Sequence, residues 1–144
     1  MPHEEYPVPY GKQSYYSHMK PADVVLWERF IEKFPEAYDY VFYDYHVGSG
    51  PDFDTTVNPE TGGDDRDLYR YKIDVVGMKD EKVDLIEIKP RAGPSCCGQI
   101  CFYRCLWGRD IVTYPEPRAV IITDILRPDM KYVCSDLEIK IVLV

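Results

Sequence analysis

Apolar and polar positions recur with different periods along this chain, and the changes of period divide it into elements. Residues 21–34, PADVVLWERFIEKF, place Val24, Leu26 with Trp27, Phe30 with Ile31, and Phe34 at helical spacing. They predict an amphipathic helix with Pro21 in its first turn and Pro35 as its stop. Residues 38–47, YDYVFYDYHV, are aromatic and β-branched and predict a strand. Tyr38, Tyr40, Phe42, Asp44 and His46 would share one of its faces, and Asp39, Val41, Tyr43, Tyr45 and Val47 the other. Strands follow over 69–77 and 83–89, a helix over 95–107 ended by Gly108, and strands over 118–124 and 137–144. The run RAVIITD is nearly all apolar, as in a strand covered on both faces. The order αβββαββ predicts an α/β fold with a central mixed sheet flanked by helices.

Two stretches have no period. Residues 1–20 are rich in Pro and Tyr and predict an extended N-terminal arm or loosely packed lead-in, able to dock on a partner. Residues 21–144 then make a single domain, interrupted by an acidic loop at 48–68 whose length suggests a segment ordered by a partner. Asp52 and Asp54 in that loop lack the ligand pattern of an EF-hand and read as solvated.

The most informative stretch is YRYKIDVVGMKDEKVDLIEIK, residues Tyr69 to Lys89. It reads as a hairpin centred between Asp80 and Glu81, with Gly77 and the MKDEK run as the turn region. Val75 then faces Ile86, Ile73 faces Ile88, Val76 faces Leu85, Asp74 faces Glu87 and Lys72 faces Lys89. One side, Ile73, Val75, Ile86 and Ile88, is wholly apolar and belongs to a core. The other carries Lys72, Asp74, Glu87 and Lys89 beside Val76 and Leu85. Like charges directly opposed destabilise a strand pair by roughly 0.2–1 kcal/mol each. Two readings are open. Either a divalent metal sits between Asp74 and Glu87, or the charged side is a solvent-facing surface on which diagonal Asp74–Lys89 and Glu87–Lys72 contacts soften the clash.

The metal reading has a consistent chemistry. Mg²⁺ accepts a few carboxylate oxygens and keeps several waters. Asp74 and Glu87 would supply two ligands and the carbonyl of Ile88 a third. Such a metal acidifies a bound water and polarises a phosphodiester. Lys89, two residues after Glu87 and so on the same side, would orient that water or stabilise charge building on the phosphate.

Charge and composition change this picture only in part. A net charge of −8 is awkward for a nucleic-acid binder. Residues 44–67, however, hold seven acidic residues against Arg66 alone, while residues 68–118 carry a net of +2. The five cysteines are an odd number, which argues against a disulfide framework. Cys97, Cys101 and Cys105 form a helical stripe that reads as packing against a sheet, and a zinc site would need two separated ligand pairs. His3, His18 and His46 fit no metal spacing, and no phosphate-binding glycine loop or G-x-S-x-G elbow is present. Among thirteen tyrosines, Tyr6, Tyr10, Tyr15 and Tyr16 read as packing or interface residues rather than base-stacking ones. No run of roughly 18 apolar residues spans a bilayer, and the N-terminus MPHEEYPVPY has no secretory pattern, so a cytoplasmic protein is expected.

Asp74, twelve intervening residues and Glu87-Ile88-Lys89 resemble the D…E-x-K signature of the PD-(D/E)XK nuclease superfamily. Gln99-Ile-Cys-Phe-Tyr103 is similar to the Q-x-x-x-Y element of its RecB-type members. The element order over residues 21–124 also resembles the superfamily's αβββαβ core. Ile73 stands where the family name has proline, and the Pro51-Asp52 dipeptide lies far upstream in the turn-rich loop. The resemblance implies a nuclease-like core and a Mg²⁺- or Mn²⁺-dependent nuclease hydrolysing DNA. It implies Asp74, Glu87 and Ile88 as metal ligands, with Asp74, Glu87, Lys89 and Gln99 as the catalytic set. Tyr103 would lie beside the substrate, and Glu28 or Glu32 would add an acidic ligand. The chain's size, arm and acidic loop are also similar to small phage-encoded members. That likeness implies a rival: a non-catalytic virion or assembly protein, in the host cytoplasm or the virion, held to other assembly proteins by arm and loop. An open approach to Asp74 and Glu87 would favour the enzyme, and a site plugged by arm or loop the scaffold.

Overall fold

The computed structural model describes residues 6–48, 70–111 and 116–144. Its elements are β1 (Val8–Pro9), α1 (Pro21–Lys33), β2 (Tyr40–Val47), β3 (Tyr71–Lys79), β4 (Lys82–Ile88), α2 (Pro94–Asp110), β5 (Arg118–Thr123), α3 (Pro128–Asp136) and β6 (Ile139–Leu143). The six strands make one mixed sheet in chain order. β1 to β4 pair antiparallel, and β4, β5 and β6 pair parallel. Parallel neighbours need a crossover, which α2 and α3 provide. The mixed α/β architecture is as expected from the sequence.

Three layers result. α1 covers one face, where Leu26, Trp27, Phe30 and Ile31 pack on Val41, Val75, Ile86, Ile88, Val120 and Ile122. α2 and α3 cover the other, where Cys96, Ile100, Tyr103, Trp107, Met130 and Cys134 pack on Val76, Leu85, Ala119 and Ile121. β4 and β5 are covered on both sides, which explains their nearly continuous apolar sequences.

Several expectations need correction. α3 was not foreseen: Pro128 opens it, and only Met130 and Cys134 are buried, too short a stripe to signal a helix. α2 does not stop at Gly108 but runs on to Asp110, with the Ile111 N–H donating to the Trp107 carbonyl. Its sheet-facing stripe is Cys96, Ile100, Tyr103 and Trp107, not the expected cysteine series. Cys97 is buried, Cys101 half-buried and Cys105 exposed, so that series turns away from the sheet. Gly77 lies in the β3–β4 ladder opposite Asp84 rather than in the turn. There the Tyr38 ring lies where a side chain would be, and an added Cβ would meet it at 2.6 Å.

The N-terminal segment is not a free arm. Residues 6–20 fold back on the domain. The Tyr10 hydroxyl donates to the Phe34 carbonyl at 2.6 Å, Lys12 pairs with Glu32, and Tyr16 is buried against Tyr43. Tyr10 and Tyr16 therefore pack, while Tyr6 and Tyr15 are exposed. Asp52 and Asp54 lie outside the described residues, as do His3 and most of the acidic loop.

Candidate metal centre at the hairpin fork

The hairpin register follows the sequence reading at its closed end. Lys79 pairs with Lys82, Met78 with Val83, Gly77 with Asp84, Val76 with Leu85 and Val75 with Ile86. There the ladder stops. Lys72 keeps its pairing with His46 on β2, and the Lys89 N–H donates to the Ile122 carbonyl of β5 at 3.0 Å. The two strands thus part beyond Val75 and Ile86, and the expected Lys72–Lys89 opposition does not occur. In the fork, the Asp74 carboxylate takes the place of a ladder partner: its Oδ2 accepts the Ile88 N–H at 2.9 Å.

A second irregularity lies directly across from Asp74. The β2–β3 register places Asp44 opposite it, between the Tyr43–Val75 and Tyr45–Ile73 pairs. Asp44 has a left-handed backbone with φ of 50°, a conformation that Asp tolerates better than most residues. The alternation of faces slips here. Val41 and Tyr43 pack with the α1 layer, whereas Tyr45 and Val47 pack with the α2 layer. Ile73 likewise joins the α2 layer although Val75 lies in the α1 layer. The strict two-residue face assignment for both strands therefore fails at Asp44 and Asp74.

The solvent-facing alternative for the charged side is overturned. Val76 and Leu85 are fully buried beneath α2, and Glu87 is 7% exposed. Glu87 hydrogen-bonds Asp74, and burial together with the Asp74 charge pushes its carboxyl up to about 9. Burial raises Asp74 too, against the lowering effect of the Ile88 N–H. A carboxylate pair this enclosed holds one proton between its members, because two negative charges cannot both be desolvated at short range. Glu87 Oε2 is buried and has no hydrogen-bond partner among the described residues.

Neighbouring groups complete the electrostatics. Asp23, in the first turn of α1, and Asp44 both raise Asp74, and Lys89 lowers Asp23 and Glu87. Asp23, not Glu28 or Glu32, is thus the acidic residue that α1 brings to this region. Glu28 bonds the Tyr16 hydroxyl at 3.4 Å and Glu32 bonds Lys12, both on the packed N-terminal segment. From α2, Cys96 and Tyr103 face the pair. Burial with Glu87 nearby pushes each of them up to about 12. Gln99 stands one turn before Tyr103 on α2 and is exposed, as is Lys89. The loop carrying Lys89 is fastened to the end of β5: Thr123 Oγ1 accepts the Ala92 N–H at 3.0 Å and Asp124 accepts the Arg91 N–H at 2.9 Å.

Asp74 and Glu87 are therefore brought together as the sequence suggests, with Ile88 between Glu87 and Lys89. The N–H and C=O of one strand residue share an edge, so the Ile88 carbonyl faces the same fork as its N–H. Among the described residues no three carboxylate, imidazole or thiol groups converge to hold a metal. A cation here would rest on two carboxylates, a carbonyl and its own waters, which is a donor set that Mg²⁺ accepts. The unsatisfied Glu87 Oε2 fits that use.

The sequence reading missed a second buried carboxylate. Asp84 is 3% exposed and accepts from Arg118 Nε at 2.6 Å, Arg118 Nη2 at 2.8 Å and the Tyr38 hydroxyl at 2.7 Å. An aspartate set between Val83 and Leu85 in the middle of a strand was the available signal.

No helix among the described residues is long and apolar enough to cross a membrane. Comparison with family models, with characterised proteins and with solved structures finds no match for this chain.

Proposed function

We propose that the chain is a metal-dependent nuclease with a PD-(D/E)XK-like core, hydrolysing phosphodiester bonds in DNA with Mg²⁺ or Mn²⁺. The observation that carries this reading is the Asp74–Glu87 pair at the fork, enclosed, with the Glu87 carboxyl pushed up and Glu87 Oε2 without a hydrogen-bond partner among the described residues. At Asp84 the protein sets an arginine against the buried carboxylate, whereas Glu87 meets a second carboxylate and the nearby Lys89 is exposed.

Asp74, Glu87 and the Ile88 carbonyl would hold the metal, which supplies an acidified water and a polarised phosphodiester. Asp74 is fixed by the Ile88 N–H, so its second oxygen is oriented before any cation arrives. Glu87 would have to release its proton to serve as a carboxylate ligand. Lys89 is exposed beside Glu87 and would donate to the attacking water or to a phosphate oxygen. Gln99 would position the reacting groups and Tyr103 would lie beside the substrate; on α2 Tyr103 is buried near the carboxylates and Gln99, one turn before it, is exposed.

The scaffold reading has one observation in its favour. Glu87 is so enclosed, and so readily neutral, that the pair could persist as a buried hydrogen bond without a cation. A cleavage assay separates the two. Plasmid and single-stranded DNA are incubated with wild type and with Asp74→Ala/Glu87→Ala in Mg²⁺ or Mn²⁺. The nuclease reading expects cutting by wild type that needs the metal and is absent in the double variant. Folded wild type that cuts neither substrate in either metal favours the virion or assembly role.

A further inference from the structure

Away from the fork, on the outer side of the α2 layer, two cysteines stand unusually close. The Sγ atoms of Cys97 on α2 and Cys134 on α3 are 3.2 Å apart. Met130 Sδ lies 4.0 Å from Cys97 Sγ. Both cysteines are free and buried, at 5% and 1% exposure. Two thiolates on one zinc, each about 2.3 Å from the metal, sit roughly 3.8 Å apart. The observed separation is too short for a metal between them. A disulfide needs about 2.05 Å, so the two sulfurs must approach by about 1.2 Å to bond.

A route to the pair exists. A cleft of about 710 Å³ opens between the start of α2 and α3, with Cys97, Gly98 and Met130 in its wall. Arg91, Arg127 and Asp129 also line it, so two cations face one carboxylate. That balance favours a small reagent carrying negative charge.

We propose that Cys97 and Cys134 are an oxidisable dithiol whose disulfide ties α2 to α3, formed by exchange with a small anionic disulfide such as glutathione disulfide. The Cys97 sulfur, having lost its proton, attacks one sulfur of the reagent and expels the other as a thiolate. Cys134 then gives up its proton and attacks Cys97 Sγ, expelling the second small thiolate. Two protein thiols and one reagent disulfide thus become one protein disulfide and two small thiols. The order follows from position and burial. Cys97 lines the cleft, whereas Cys134 is 1% exposed and reaches it only through Cys97. The cross-link would fix the first turns of α2, where Cys96 faces Glu87. It stands whether or not the fork binds a metal.

The test is thiol counting and peptide mapping of the fully reduced, full-length protein after exposure to glutathione disulfide. Of its five thiols, two should be lost, with an intact-mass loss of about 2 Da and a cross-linked Cys97–Cys134 peptide. Melting should shift upward by on the order of 10 °C. Cys105→Ser should behave as wild type, and Cys134→Ser should stop at a glutathione adduct on Cys97. Five thiols remaining, a stable adduct on Cys97 of wild type, or a cross-link to Cys101 or Cys105 instead would overturn the proposal. Should Cys134→Ser fail to fold, the wild-type map alone decides.

Discussion

β4 carries two buried carboxylates three residues apart, and they are treated in opposite ways. Asp84 points into the α1 layer and is satisfied by Nε and Nη2 of Arg118 and by the Tyr38 hydroxyl. Glu87 points into the α2 layer and meets another carboxylate, with one oxygen unpartnered among the described residues. Burying a charge is costly unless it is paired and hydrogen-bonded. Asp84 meets that condition within the protein, and Glu87 meets it only by keeping a proton or gaining a cation. The first arrangement holds the fold together, whereas the second is the proposed metal site. The closed and forked ends of one hairpin therefore have separable roles, and substitutions should separate them.

The largest effects are expected on activity at the fork. Glu87→Gln or Asp74→Asn should lower DNA cleavage by roughly 10²–10³-fold or more, since each removes a charged oxygen from the proposed metal set. The same variants should melt no lower than wild type in chelator, because an amide fills either position without the proton that the paired carboxylates must share. Steady-state cleavage and a melting curve on each protein check both halves. Lys89→Ala should cost about 10²-fold in kcat with metal affinity unchanged, which calorimetry and kinetics together resolve.

At the closed end the pattern should invert. Arg118→Ala leaves Asp84 with the Tyr38 hydroxyl alone and should cost about 2–3 kcal/mol in urea unfolding, below the full range for a buried pair because the Arg118 side chain is 54% exposed. Cleavage per folded molecule should not change. Gly77→Ala should cost about 1–3 kcal/mol, since its Cβ would meet a Tyr38 ring that its bond to Asp84 holds in place.

The pH dependence sharpens the same contrast. Glu87 titrates near 4.5 in an unfolded chain and at about 9 when folded without metal. The folded state holds a proton that the unfolded chain has released over that window. Its contribution to stability is complete below the lower value and is lost as pH rises through the upper one. Metal-free wild type should therefore melt progressively lower from about pH 5 to 9, and Glu87→Gln should flatten that slope.

How much of this was legible beforehand differs along the hairpin. The register from Val75–Ile86 to Lys79–Lys82 follows from centring the turn at Asp80 and Glu81, and the structure keeps it. The fork was not legible, because a strict two-residue alternation has no place for Asp44 at φ 50° or for an Asp74 carboxylate bonding a backbone amide. Asp23 escaped notice for a similar reason: its closeness to Lys89 and Glu87 depends on where α1 crosses the sheet, not on spacing. α3 has only two buried residues to announce it. Gly77 read as a turn residue because a glycine usually marks one, whereas here it makes room for the Tyr38 ring.

The most direct test of the central claim is calorimetric titration of Mn²⁺ into wild type, Asp74→Asn and Glu87→Gln near pH 7.5, in two buffers of different ionisation enthalpy. The account predicts one binding event on wild type with release of about one proton, and no binding to either variant. Folded wild type that takes up no metal, or variants that bind it as wild type does, would contradict it.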